Sequence, residues 1–484
     1  MSNHNKPRSF FGALCAISLA FGAAASCGSG ANSVDRPNVL FVVFDTTRAD
    51  HLSSYGYQKL TSPRVDGLAR SGARFDAARS ASTLTPVSAS TFLTGLQPPR
   101  TGVRSLFLFS QQSLNQGVVT LAERLRGSGY ETAAFVSAAP MGARYGLDRG
   151  FDVYNDDVNQ EARRLQKLKV GNAFQRRADT TTDLALGWLE AHFEEELGPF
   201  GLMVHFFDAH DAAMIPPRKF LASRVSFPLP ANLDQIGHLH NLFAGADHGQ
   251  GGERQDDLIE LYDAEIEFMD KQLGRILDDL AARDELENTL VVFLADHGES
   301  LGQHDFWTHG FMWDEQLRVP LILSGPGVES GTVVPEPVSL VDLVPSLVSQ
   351  GGLLGMSLEP GEQLDGQSFA GLVTPGFTGD AFLQRPVVSE VHNSKEDRTG
   401  RPEALFAVTA MPWKLIVEPG QTPKLFHLGD DPGELADLYS KEHPMVRALS
   451  AVLAASGSLE SADLPNLEDL TEEERSMLQG LGYF

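Results

Sequence analysis

Three stretches of this chain are apolar runs that end abruptly in acid or imidazole. Val39 to Phe44 stops at Asp45, Leu202-Met203-Val204 leads to His205 and Asp208, and Leu290 to Leu294 leads to Asp296. A continuous apolar run suits a strand covered on both faces, as in a parallel sheet, and not the alternating pattern of a half-exposed strand. In open α/β sheets, ligands bind beyond the carboxyl ends of the strands. The pattern therefore gathers three segments, distant in sequence, around one site.

The segments between these runs read as helices. Leu258, Tyr262, Ile266, Met269, Leu273, Ile276 and Leu280 recur every three or four residues and mark one apolar helix face. Val119 to Leu125 also reads as a helix, followed by Gly127-Ser128-Gly129 and a strand over Thr132 to Val136. This alternation predicts an α/β fold, with a large, mostly parallel mixed sheet flanked by helices. Pro216 to Gly252 has no period and reads as a surface excursion near the site mouth, and Gly351 to Thr378 reads as a link. Beyond it, Val387–Val391, Phe406–Ala410, Lys414–Val417 and Lys424–Phe426 predict a smaller C-terminal antiparallel sheet. Thr471 with Glu474 three residues later marks a capping box in the tail. The expected organisation is a leader over 1–27, a tether over 28–36, a catalytic domain over 37–375 and a C-terminal subdomain with a helical tail over 376–484.

Lys6 and Arg8 precede an apolar run from Phe10 to Ala25, the pattern of an export signal and too short for a membrane span. Ala24-Ala25-Ser26-Cys27 resembles a bacterial lipobox, with Ala24 where Leu is usual. Two outcomes stay open: lipidation at Cys27, giving a lipoprotein facing the periplasm or held at the outer membrane, or ordinary cleavage after Ala25. Cys15 and Cys27 are the only two cysteines, so the rest of the chain has no disulfide, thiol nucleophile or Cys-zinc site. A net charge of -26 argues against a nucleic-acid partner.

Asp296-His297-Gly298-Glu299 sits where a buried strand ends. A carboxylate and an imidazole side by side suit a divalent ion, or else an incidental polar turn. Asp45 supplies a second carboxylate. Arg48 and Asp50 beside it fit a helix cap or a mutual pair. Ser82 to Gly95 is dense in hydroxyls, which alone reads as a capping stretch. His238, His240 and His248 read as surface histidines, and His304 as a supporting group.

Taken together, the chain resembles the sulfatase family of the alkaline-phosphatase superfamily. The resemblance is carried by Asp45 to Leu52 and Tyr55-Gly56-Tyr57, by Thr85 to Gly95 with Pro98 to Val103, and by Gly129 to Ala133 and Gly146 to Phe151. It continues through Tyr262 to Ile266, Asp296 to Glu299, Arg318 to Leu321, Val341 to Ser346 and the closing Leu481-Gly482-Tyr483. It implies Asp45, Asp296 and His297 as ligands of one divalent metal, Ca2+ or Mn2+, and Thr85 as a metal-bound nucleophile. It further implies His210 as a substrate-contacting or proton-transferring histidine, and His309 where a cation usually meets the ester or the leaving group. Members of the family usually carry Cys or Ser at the nucleophile, oxidised to formylglycine; this chain has Thr85, so no formylglycine is expected. Ala89 replaces the accompanying Arg, Thr46 the second consecutive Asp, and Ser137-Ala138 lie where a Lys is usual. The expected function is hydrolysis of a sulfate or phosphate ester of a small molecule, glycan or lipid. The rivals are a phosphodiesterase or phosphotransferase acting on envelope lipid or polymer, and a non-catalytic binding lipoprotein.

Overall fold

The computed structural model describes residues 36–106, 112–158, 175–210, 216–229, 253–349, 351–377, 381–393, 401–459, 470–472 and 474–475. The leader, Cys27, the tether up to residue 35, the closing Leu481-Gly482-Tyr483 and His238, His240 and His248 lie outside these residues. Pro37 to Phe484 forms one compact unit. No helix among the described residues is long and apolar enough to cross a membrane.

In chain order the strands are β1 (Asn38–Phe44), β2 (Ala73–Phe75), β3 (Ala78–Arg79), β4 (Glu131–Val136), β5 (Val153–Asn155), β6 (Phe200–Phe206), β7 (Thr289–Leu294), β8 (Ser300–Leu301) and β9 (Trp307–Thr308). They continue with β10 (Leu321–Ser324), β11 (Thr332–Val334), β12 (Val338–Ser339), β13 (Val387–His392), β14 (Ala404–Ala410), β15 (Trp413–Val417) and β16 (Lys424–His427). The main sheet has eight strands in the order β11-β2-β10-β7-β1-β6-β4-β5. β7, β1, β6, β4 and β5 run parallel, and β10 alone opposes its neighbours β7 and β2. The mostly parallel α/β fold read from the sequence is the one observed.

The apolar runs have a direct structural cause. Every residue of β1, β6 and β7 is buried. Along β1, Val39, Phe41 and Val43 enter one core with Val87, Phe92 and Leu343. Leu40, Val42 and Phe44 enter a second core with Ile266, Met269 and Leu273. Side chains alternate across a strand, so a strand with a core on each face is apolar along its middle and carries polar residues only towards its ends. The helix Glu253–Ala282 supplies much of the second core with the face that its periodicity predicted.

Register sets the site. Val43 pairs with Leu294 on one side and His205 on the other, so β1, β6 and β7 end level. Asp45, His205 and Asp296 consequently reach the same edge. Asp208, which the sequence groups with them, turns away: its carboxylate accepts the Ala178 N–H at 2.9 Å and caps the Ala178–Glu194 helix. A cap of this kind depends on a helix remote in sequence, so the local pattern did not reveal it.

β13 to β16 form an antiparallel meander, matching the four expected short strands within a residue or two. One face packs Val388, Val408 and Leu415 against Met445 and Leu449 of the Pro444–Ala455 helix. The other face sends Val391, Leu405, Ala407 and Ile416 into the main core. The capping box forms as expected, with Thr471 N donating to Glu474 Oε2 at 2.7 Å and Glu474 N to Thr471 Oγ1 at 3.3 Å. The first helix after Pro98–Thr101 starts at Leu121, not Val119, because Thr120 and Glu123 cap it reciprocally.

Gly298 follows the β7 end, and its N–H donates to Gln316 O at 2.7 Å. A Cβ there would lie 2.1 Å from the Glu315 carbonyl oxygen, which leaves no room for a side chain. Gly298→Ala is expected to cost about 1–3 kcal/mol through overpacking. Chemical denaturation measures this, and a variant as stable as the wild type would contradict the close approach.

Candidate active site

β1 delivers Asp45 fully buried, and the next residue turns sharply. Thr46 has φ 51, a left-handed conformation that β-branched residues rarely adopt. Such strain costs about 1–3 kcal/mol and persists only when the surroundings enforce it. Here Thr46 N donates to Asp296 Oδ1 at 3.2 Å. The Tyr262 hydroxyl donates to Thr46 O and accepts from Arg48 N, both at 2.8 Å. Thr46 spends its own hydroxyl on Asp45 O at 2.9 Å, so it does not replace the missing second carboxylate. Arg48 pairs with Asp50 at 2.6 and 2.8 Å, one of the two roles open from sequence.

Thr85 opens the Thr85–Phe92 helix, every residue of which is buried. Most hydroxyls of this stretch serve structure. Ser88 donates to Asp296 O at 2.7 Å and ties the helix to the β7 end, while Thr91 and Thr94 bond carbonyls of their own helix. Thr85 is different: its Oγ1 lies 3.2 Å from Asp45 Oδ2 and 3.4 Å from His297 Nε2.

One ligand atom from each of Asp45, Asp296 and His297 falls within 4.8 Å of the others. Asp45 Oδ1 and Asp296 Oδ2 are buried without a hydrogen-bond partner. Burial, then the nearby Asp296 charge, push the Asp45 carboxyl well above the ordinary carboxylate range. Buried carboxylate oxygens without partners are costly unless a cation joins them. His297 Nδ1 faces Gly298 O at 3.0 Å, which places its proton there and leaves the Nε2 lone pair toward the centre. A histidine donating its other N–H to a backbone carbonyl is the usual support of a metal-ligating imidazole. The residues present therefore fit a divalent metal.

His205 was legible only as a polar strand end, yet it belongs to the site. Its Nε2 lies 2.9 Å from Asp45 Oδ2, and Ser137 N faces its Nδ1 at 3.4 Å. Burial lowers its pKa to about 4, so it is neutral, with its proton on Nε2 donated to Asp45. That bond occupies Oδ2 and leaves Oδ1 open.

His210 and His309 meet at the mouth, Nε2 to Nε2, at 3.0 Å. His309 Nδ1 donates to Thr83 O at 2.6 Å, and burial followed by the charges of His297, His210 and Arg401 holds its pKa well below the usual value. Neutral His309 thus offers an Nε2 lone pair, and the shared proton belongs to His210, whose ring stacks on Phe207 at 4.2 Å. His304 lies apart: it stacks on Trp313 at 3.9 Å and groups with Glu315 and Glu434. That second group needs no metal, because the Lys414 ammonium already stands 2.8 Å from Glu434.

The sulfatase family matches residues 37–353. The choline-sulfatase of Rhizobium meliloti is 24% identical over 470 residues, covering 88% of this chain and 86% of the relative. A protein solved with its substrate D-glucosamine-2-N,6-O-disulfate shares the fold at TM-score 0.70 and 19% identity, covering 87% of this chain and 97% of that one. The phosphonate monoester hydrolase of Agrobacterium radiobacter does so at TM-score 0.68 and 21% identity, covering 87% and 96%. The chain belongs to the sulfatase family, and it is an ester hydrolase.

Proposed function

We propose that this protein cleaves a sulfate or phosphate ester through Thr85, at a centre where Asp45, Asp296, His297 and Thr85 hold one divalent metal, calcium or manganese. The observation that carries the reading is that the Thr85 hydroxyl donates to Asp45, whose other oxygen is buried without a partner, as is one oxygen of Asp296. The ion supplies a lowered pKa for the bound hydroxyl and charge stabilisation on the oxygens being transferred.

The chain's own groups do the rest. Asp45 Oδ2, held by His205, accepts the Thr85 hydrogen bond and orients the hydroxyl. As Thr85 Oγ1 attacks in line, its proton passes along the hydrogen bond to Asp45 Oδ2, the bond to the sulfur or phosphorus forms, and the bond to the leaving oxygen breaks. His210 Nε2, the proton-bearing partner of the imidazole pair, protonates that oxygen. His309, tethered to Thr83 O, keeps the proton of His210 at the mouth. Water then releases the group from Thr85. An alcohol acceptor in place of water would make the enzyme a phosphotransferase, a second reading favoured by a threonine hydroxyl at the nucleophile. A purely binding lipoprotein is disfavoured by the shared geometry of Thr85, Asp45 and the His210–His309 pair.

The Lys6-Arg8 start and the Phe10 to Ala25 run support export to the periplasm, with Cys27 as the candidate anchor. The substrate is read as a small-molecule, glycan or lipid ester.

Thr85→Ala is expected to lower turnover of an aryl sulfate or aryl phosphate by at least about a thousandfold, while Thr85→Ser retains activity. Intact-mass analysis after turnover, followed by peptide mapping, is expected to find the transferred group on Thr85. Full activity in Thr85→Ala, or an adduct elsewhere, removes the nucleophile assignment.

A further inference from the structure

A tetrahedral sulfuryl or phosphoryl group brings negative oxygens to a site already holding two carboxylates. Ala89 and Ser137 stand where cations were expected from the resemblance. His205 Nε2 is engaged by Asp45 Oδ2 at 2.9 Å, and His309 Nδ1 by Thr83 O at 2.6 Å. Arg176 is buried, but its guanidinium is bound to Asn155 and Thr181 and serves the wall behind His205. A permanent cation must come from elsewhere.

Arg401 stands at that place, beside the residue that follows His309. A Cβ on Gly310 would lie 2.7 Å from Arg401 Cδ and 2.8 Å from its Nε, so the arginine stem runs directly against the Gly310 backbone. Gly310 has φ 111, a conformation suited to glycine, and its bare Cα is what admits the side chain. Asn393 fixes the approach: its Nδ2 donates to Gly310 O at 2.9 Å and to Pro402 O at 2.8 Å, and its backbone N donates to Glu403 O at 2.8 Å. The guanidinium carbon lies 5.5 Å from the centre of the Phe306 ring. A guanidinium keeps its charge at every working pH and presents a planar fork suited to oxyanions.

We propose that Arg401 is a substrate-binding residue whose guanidinium takes a non-bridging oxygen of the sulfuryl or phosphoryl group beside His309. The proposal rests on the ester-hydrolase reading above. It makes the C-terminal sheet part of the site, because Asn393, directly after β13, positions the arginine. It also accounts for the glycine after His309.

Titration calorimetry on the full chain, loaded with calcium or manganese, tests this with inorganic phosphate and inorganic sulfate as probes. Arg401→Met is expected to weaken both by about 10- to 100-fold, the size of a lost charge-assisted hydrogen bond. Arg401→Lys is expected to recover part of the loss, with thermal stability and metal content unchanged in both variants. Anion affinity in Arg401→Met within about twofold of wild type overturns the role of Arg401 alone. A loss that accompanies loss of metal or of folding, and that Arg401→Lys does not recover, also overturns it. Wild-type protein that binds neither anion overturns the ester-hydrolase reading together with this one.

Discussion

Two carboxylates buried side by side form the constraint on which the rest of the site depends. Asp45 and Asp296 each leave a buried oxygen without a hydrogen-bond partner. A fold does not keep such a pair for stability, since burial and mutual repulsion both oppose ionisation. The surrounding structure reads as the means of holding them. The level ends of β1, β6 and β7 bring them to one edge. The left-handed turn at Thr46, held by Tyr262, aims a backbone N–H at Asp296. Ser88 bolts the Thr85–Phe92 helix to the same strand end. His205 occupies one Asp45 oxygen and leaves the other open.

Much of this was legible in the sequence, for identifiable reasons. A strand with a core on both faces is apolar along its middle, so β1, β6 and β7 announced themselves, and with them Asp45 and Asp296. The long helix was legible because one face is buried at a regular spacing. What escaped was non-local. His205 sits on its strand as any polar residue would, and only the register with β1 reveals its bond to Asp45. Asp208 looked equivalent and instead caps a helix thirty residues earlier in the chain. Arg401 carries no local motif, and its place beside Gly310 follows from how the C-terminal sheet packs. Tyr262 was expected on the helix face and proves to end in a hydroxyl that clamps the Thr46 turn.

The departures from the usual family pattern touch a carboxylate as well as cations: Thr46 stands where a second Asp is usual, and Ala89 and Ser137 where cations are. Asp45, Asp296 and His297 stay grouped within 4.8 Å of one another.

Elemental mass spectrometry on protein dialysed against calcium or manganese tests the central claim most directly, with Asp45→Asn/Asp296→Asn as the comparison. The account predicts a stoichiometric divalent ion in the wild type and its loss in the double variant, which stays folded because each amide conserves the volume of the acid it replaces. A wild type that holds no ion, or a double variant that holds as much as the wild type, would contradict it.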